Sequence, residues 1–213
     1  MIPVELQPEP DGFDRQVRQP GLDAIREMTG AMSRPGPGRK REVIAESPED
    51  IPSGKFPEIW RKALPDLLKA YNRICAYACL YIHRTTGAAG VDHFAPRSRK
   101  WDRIYEWDNY RLACSLMNSR KGRFDDVLDP VGLEPGTFVL DLVSMKALPG
   151  KDLEGDRLIE AQDTIRRLGL ASDDYASALG DYYEAYSTGE VTFAFLEERA
   201  PFLASELCRQ GKL

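Results

Sequence analysis

Residues 91–122, VDHFAPRSRKWDRIYEWDNYRLACSLMNSRKG, decide how this chain is read. Asp92 and His93 stand side by side, Asn109 follows, and Asn118 closes the set inside a frame of arginines and lysines. An acid, a base and two amides in that order point to one-metal phosphodiester hydrolysis. His93 is one of only two histidines in the chain, so the choice of general base is nearly forced. The short apolar–polar run at Val91–Phe94 predicts a first strand. Tyr105–Cys114 predicts a second, and Ser115–Lys121 a short helix.

Each residue type suits a part of that chemistry. A neutral imidazole takes a proton from water near pH 7, because its ordinary pKa lies close to neutrality. Asp92 offers a hard carboxylate oxygen beside the base, and Asn118 a neutral amide oxygen. Oxygen donors that leave positions open for water and phosphate suit Mg²⁺ or Mn²⁺. Asn109 can hydrogen-bond the backbone of the loop that carries His93 and so fix the base. Lys121, Arg97 and Arg120 are the candidates to neutralise phosphate.

These residues resemble the HNH, or ββα-metal, nuclease superfamily. The matching pieces are VDHFAP, WDNYRLAC and MNSRKG, and the nine-residue step from Asn109 to Asn118 fits as well. The third motif position is Asn, which makes an H-N-N variant, and position 122 is Gly rather than a further His or acid. The resemblance implies two protein ligands for Mg²⁺, Asp92 and Asn118. It also implies DNA as substrate and products with 5′-phosphate and 3′-hydroxyl ends. CAYAC, VDHFAPRS, YEWDNYRLAC, MNSRKG and VLDP together are similar to bacterial HNH proteins of anti-phage defence. Those work beside an AAA- or ABC-type ATPase, as in Septu-like and retron-associated systems. A single site cuts one strand, so a double-strand break requires two protomers, as in a homodimer, or two events.

Many HNH proteins hold a structural zinc between two C-x-x-C knuckles. Here Cys75 and Cys114 would open them, but Ala78 and Met117 stand at the partner positions. A closed zinc site needs four ligands. The expectation is therefore no structural zinc, with Cys75, Cys79 and Cys114 packing as small hydrophobes. A residual site of those three cysteines with one other ligand is the alternative.

Composition sets outer bounds. The 213 residues, 42% hydrophobic and 30% charged, describe a soluble globular chain of one core with a small appendage. No membrane-length apolar run and no signal segment occur, so a cytoplasmic protein without a membrane partner is expected. Four cysteines without a secretory signal read as reduced thiols. The net charge of −5 argues against nucleic acid until its distribution is considered. Arg97, Arg99, Lys100, Arg103, Arg111, Arg120, Lys121 and Arg123 crowd the motif, opposed only by Asp102, Glu106 and Asp108. Such a local basic face can hold a phosphate backbone by counterion release. From it Arg97, Arg99, Lys100, Arg111, Arg120 and Arg123 are read as DNA-binding. A second basic cluster is Arg34, Arg39, Lys40 and Arg41.

The whole is read as α+β, a small ββα-metal core embedded in a mainly helical protein. Residues 1–55 form an arm with a short helix near Pro20 and a Gly/Pro loop at Thr29–Gly38. Residues 56–130 form the nuclease core with its leading helices, Pro65 starting or kinking one of them. The Trp60–Tyr71 stripe reads as core, His83 as a surface histidine, and Asp129 as a turn residue before Pro130. Residues 131–213 begin with a strand at Thr137–Val143. Helices follow over Leu158–Leu168, capped by Gly169, over Asp173–Tyr186, and over Thr192–Cys208 with a break near Pro201. The competing function is a nucleic-acid-binding or assembly subunit of an ATPase complex with a degenerate nuclease site. RNA is the lesser substrate, since nothing in the sequence reads a 2′-hydroxyl. A zinc deaminase fails for want of a soft ligand cluster around a base.

Overall fold

Pairing of Val91 with Leu112 sets the register of the central hairpin. Strand β1 (Ala89–His93) runs antiparallel to β2 (Tyr110–Cys114), with Asp92 opposite Arg111 and His93 opposite Tyr110. Successive strand residues point to opposite faces. Val91, His93, Tyr110 and Leu112 therefore share one face, and Gly90, Asp92, Arg111 and Ala113 the other. The outer edge of β2 receives a hydrogen bond at the Leu112 carbonyl from the Ala76 amide (2.8 Å). The outer edge of β1 pairs with no strand among the described residues.

The protein is described here by a computed structural model, which covers residues 1–34, 40–124 and 126–212. Part of the expected Gly/Pro loop, and Arg39 of the second basic cluster, fall outside them. Among the described residues the fold is α+β, with seven α-helices and two two-stranded antiparallel sheets. Helix α1 (Gln19–Met28) carries Pro20 in its first turn and is led by a wider helical turn at Asp14–Arg18, so it starts earlier than Pro20 alone suggests. Residues Ile59–Ala63 form a tight 3₁₀ turn, and α2 (Leu64–Ala70) follows with Pro65 at its start, where a missing N–H costs nothing. Helix α3 (Ser115–Lys121) leaves β2 without a loop and ends at Gly122, whose φ of +53° suits glycine.

The strand expected near Thr137–Val143 is β3 (Phe138–Asp141), and it pairs with β4 (Lys146–Pro149), which the sequence reading did not contain. Asp141 accepts from the Val143 amide (3.2 Å) and the Ser144 amide (3.3 Å), and this closes the turn between them. Helices α4 (Gly155–Leu168), α5 (Asp173–Ser187), α6 (Phe193–Arg199) and α7 (Pro201–Arg209) complete the chain. Gly169 caps α4 in the left-handed region as expected, and Pro201 divides α6 from α7. Buried side chains from Met1 to Leu207 join in one hydrophobic cluster beneath both hairpins.

Candidate active site

Among the described residues β1 pairs with no strand on its outer edge, and the strand borders a cavity of about 600 Å³. All five residues of β1 line it, together with Trp60, Arg61, Arg97, Asn118 and Arg123. Asp92 and His93, from opposite faces of the strand, thus meet Asn118 from α3 in one cavity. These are the residues the sequence singled out.

His93 is held from several sides. Its Nε2 lies 2.9 Å from the Ile104 carbonyl. A carbonyl only accepts, so Nε2 carries the proton and Nδ1 keeps the lone pair. Trp60 and Tyr110 meet the imidazole edge-on, at 4.9 and 5.2 Å between ring centres. Burial, with the nearby Arg97 guanidinium in second place, pushes the His93 pKa down to about 3. The ring is therefore neutral at physiological pH with its Nδ1 lone pair unprotonated, and in this buried setting it is a weaker base than a free imidazole.

Asn109 sits where the expected loop clamp belongs. Its Oδ1 accepts from the Ala95 amide (2.8 Å), and its Nδ2 donates to the carbonyls of Arg103 (2.8 Å) and Ala95 (3.3 Å). The Phe94 amide donates to the Asn109 carbonyl (2.9 Å). One buried amide thus ties both ends of the 94–104 loop, which carries His93 at its start and the His93 acceptor at its end.

Asp92 is buried and accepts from the Tyr77 hydroxyl at 2.6 Å on Oδ2 and from Lys121 Nζ at 3.2 Å on Oδ1. Burial raises its pKa, while Lys121, Tyr77 and Arg111 pull the other way. Asn118 and Lys121 lie three apart on α3, so both face β1. The Asn118 side chain makes no hydrogen bond among the described residues, and its amide would touch a Cβ placed on Gly90 at 3.4 Å. The donor set is thus one carboxylate with lone pairs to spare and one unengaged amide. That set fits a hard divalent cation with open positions. Among the described residues no group of three or more His, Cys, Asp or Glu is arranged for a metal; the Asp92–Asn118 pair is not of that kind.

The basic residues divide sharply. Arg97 stacks over Trp60 at 4.6 Å and lines the cavity, and Arg123 is exposed at its rim. Arg99 and Lys100 are exposed on the neighbouring loop, where Arg99 borders an adjoining cavity of about 400 Å³. The expected DNA contacts at Arg111 and Arg120 are corrected. Arg111 is buried and forms a two-pronged ion pair with Asp129, and it also donates to the carbonyls of Asp108 and Tyr110. Arg120 turns away from the cavity and donates to the Leu168 carbonyl (2.9 Å) at the end of α4. Lys121, expected at the phosphate, is fully buried behind Asp92 and does not line the cavity. Asp129, read as a turn residue, also accepts from the Val131 amide (3.0 Å) as such a residue does.

Tyr77 and Trp60 were missed as site residues. Tyr77 sits among small apolar residues in CAYAC, where only the cysteines drew notice. Trp60 was read as core, and it is core on one face and cavity wall on the other. In the same turn the Cys75 sulfur accepts from the amides of Ala78 and Cys114, both at 3.4 Å. Burial pushes the Cys75 thiol up, whereas the hydrogen bond from Cys75 lowers Cys114. Cys79 is also buried, at a φ of +52°.

No protein-family model matches the chain. No curated protein matches it either. Among the described residues, no helix is long and apolar enough to cross a membrane.

Proposed function

We propose that this chain is a metal-dependent endonuclease of the HNH type that hydrolyses DNA, with His93 as general base. The observation that carries this reading is the convergence of Asp92, His93 and Asn118 on one cavity, with His93 pinned through Nε2 and its loop clamped by Asn109. His93 Nδ1 takes the proton of the attacking water, whose oxygen displaces the 3′-oxygen from phosphorus. Tethering to Ile104 orients the ring before substrate arrives, so no rotamer must be fixed during the reaction. Asp92 and Asn118 would hold one Mg²⁺ or Mn²⁺, which supplies charge at the phosphorus oxygens and the leaving oxygen. Arg97 and Arg123, on the cavity wall and rim, hold the phosphate backbone. Cytoplasmic defence with an ATPase partner extends the same proposal and draws on the sequence resemblance alone.

Incubating supercoiled plasmid with Mg²⁺, Mn²⁺ or EDTA tests the reading. Metal-dependent nicks with 5′-phosphate ends are expected. Intact plasmid under every metal, together with tight DNA binding, would favour the second reading, a binding or assembly subunit. Two observations speak for that second reading: the Asp92 charge is already matched by Lys121, and burial holds the His93 pKa at about 3, well below the range that suits a general base.

A further inference from the structure

We propose that Lys121 is the built-in counter-ion of Asp92, and that the pair makes this site take up its divalent cation together with a phosphodiester rather than before it. The inference rests on the nuclease reading and adds the order and coupling of binding. Lys121 is 0% exposed, and its ammonium lies 3.1 Å from Asp92 Oδ2. It donates also to the carbonyls of His93 (2.9 Å) and Phe94 (3.2 Å). Three donors and no acceptor define an ammonium, so these contacts occupy it fully and fix it in place. Tyr77 holds the same carboxylate from the turn above, at 2.6 Å.

The charge balance follows from these contacts. Asp92 is the one acid among the proposed ligands, and its charge is cancelled within the protein. Asn118, Asn109 and the neutral His93 add none. Around them the cavity wall carries Arg61, Arg97 and Arg123, of which only Arg61 has an acid partner in the wall, Glu58 at 2.8 Å. A divalent cation entering the cavity alone therefore meets a positive surround, in which the buried Lys121 ammonium beside Asp92 is felt most strongly because little water screens it, and the exposed Arg61 and Arg123 least. A phosphodiester brings the missing negative charge and two further hard oxygens. Cation and phosphate should then bind cooperatively, and linkage requires each to raise the other's affinity by the same factor.

Mn²⁺ binding, followed by electron paramagnetic resonance, tests this with and without a short DNA duplex. His93→Ala protein prevents turnover during the titration. Saturating DNA is expected to tighten Mn²⁺ at least about tenfold, within the usual span of coupling between sites. Lys121→Met, which keeps length and removes charge, is expected to tighten Mn²⁺ without DNA and to shrink the effect of DNA. Equal Mn²⁺ affinity with and without DNA, in a protein that still cuts plasmid, would overturn the coupling and leave the nuclease reading standing. No Mn²⁺ binding in any sample, with no cleavage by the parent protein, would overturn both. If Lys121→Met fails to fold, as circular dichroism would show, the titration without that substitution decides alone.

Discussion

The molecule contains two antiparallel hairpins of nearly equal size, and they are used in opposite ways. In β3–β4 the inward positions are Phe138, Leu140 and Ala147, all apolar and buried. The outer edge of β3 is covered by α7 and the residue that follows it: Glu206 accepts from the Leu140 amide (2.8 Å), and Gln210, just past the helix, donates to the Leu140 carbonyl (2.8 Å). In β1–β2 the buried set includes Asp92, His93 and Arg111, with Asn109 just before β2, and the edge of β1 opens on a cavity. An edge that is covered serves stability. An edge left open, above polar groups that are costly to bury, is where the proposed substrate would repay that cost.

The contrast can be broken by exchanging roles in either hairpin. The largest effect is expected from His93→Ala, which should lower DNA cleavage about 10²–10⁴-fold, the usual worth of a positioned general base. Loss of stability should be moderate: the Ile104 carbonyl keeps a second donor, the Tyr110 hydroxyl at 2.8 Å, so the cost is that of the space emptied between Trp60 and Tyr110. Next comes Arg111→Ala, which strands Asp129 and should cost about 3–5 kcal/mol in urea unfolding. Unchanged unfolding with weaker DNA binding would return Arg111 to the surface role first expected of it. Leu140→Ala in the other hairpin should cost about 2–5 kcal/mol, with cleavage per folded molecule unchanged.

Acid sharpens the same comparison. The folded chain keeps His93 neutral down to about pH 3, whereas the unfolded chain protonates it below about 6.5. The unfolded state therefore binds more protons between those values. The His93 contribution to stability is complete above 6.5 and declines as pH falls toward 3, by an amount on the order of a few kcal/mol. Cleavage should show no loss of activity centred near pH 6.5, and a pH–rate profile with its acid limb there would contradict this burial. Arg123→Ala should leave unfolding untouched, weaken DNA binding evenly across sequences and lower the salt slope by about one. Glu206→Gln, at the covered edge of β3, should cost only about 1 kcal/mol.

Much of the β1–β2 hairpin was legible because its proposed chemistry is carried by residue types. Asp-His, Asn109 and Asn118 at their spacings led to the two strands, the helix and the loop clamp. Apolar periodicity likewise located α4, Pro65 marked a helix start or kink, and Pro201 marked the break that divides α6 from α7. What stayed hidden depends on direction and partner rather than type. Arg97 and Arg111 look alike in sequence, yet one lies against Trp60 in the cavity wall and the other against Asp129 in the interior. When a strand is buried on both faces, alternation no longer says which arginine meets solvent. Lys121 was hidden for the same reason, since only the packing of α3 on β1 brings it behind Asp92. KALP in β4 has no alternation long enough to read, and only its pairing with β3 makes it a strand.

The most direct test measures cleavage of supercoiled plasmid and thermal unfolding on the same preparations of His93→Ala and Leu140→Ala. The account predicts that His93→Ala loses cleavage, while its melting temperature falls only by what the emptied ring space costs and the protein stays folded at the assay temperature. It predicts that Leu140→Ala melts far earlier yet cuts normally while folded. A His93→Ala protein that is badly destabilised but still cuts per folded molecule would make the histidine a packing residue and contradict the division of labour between the two hairpins.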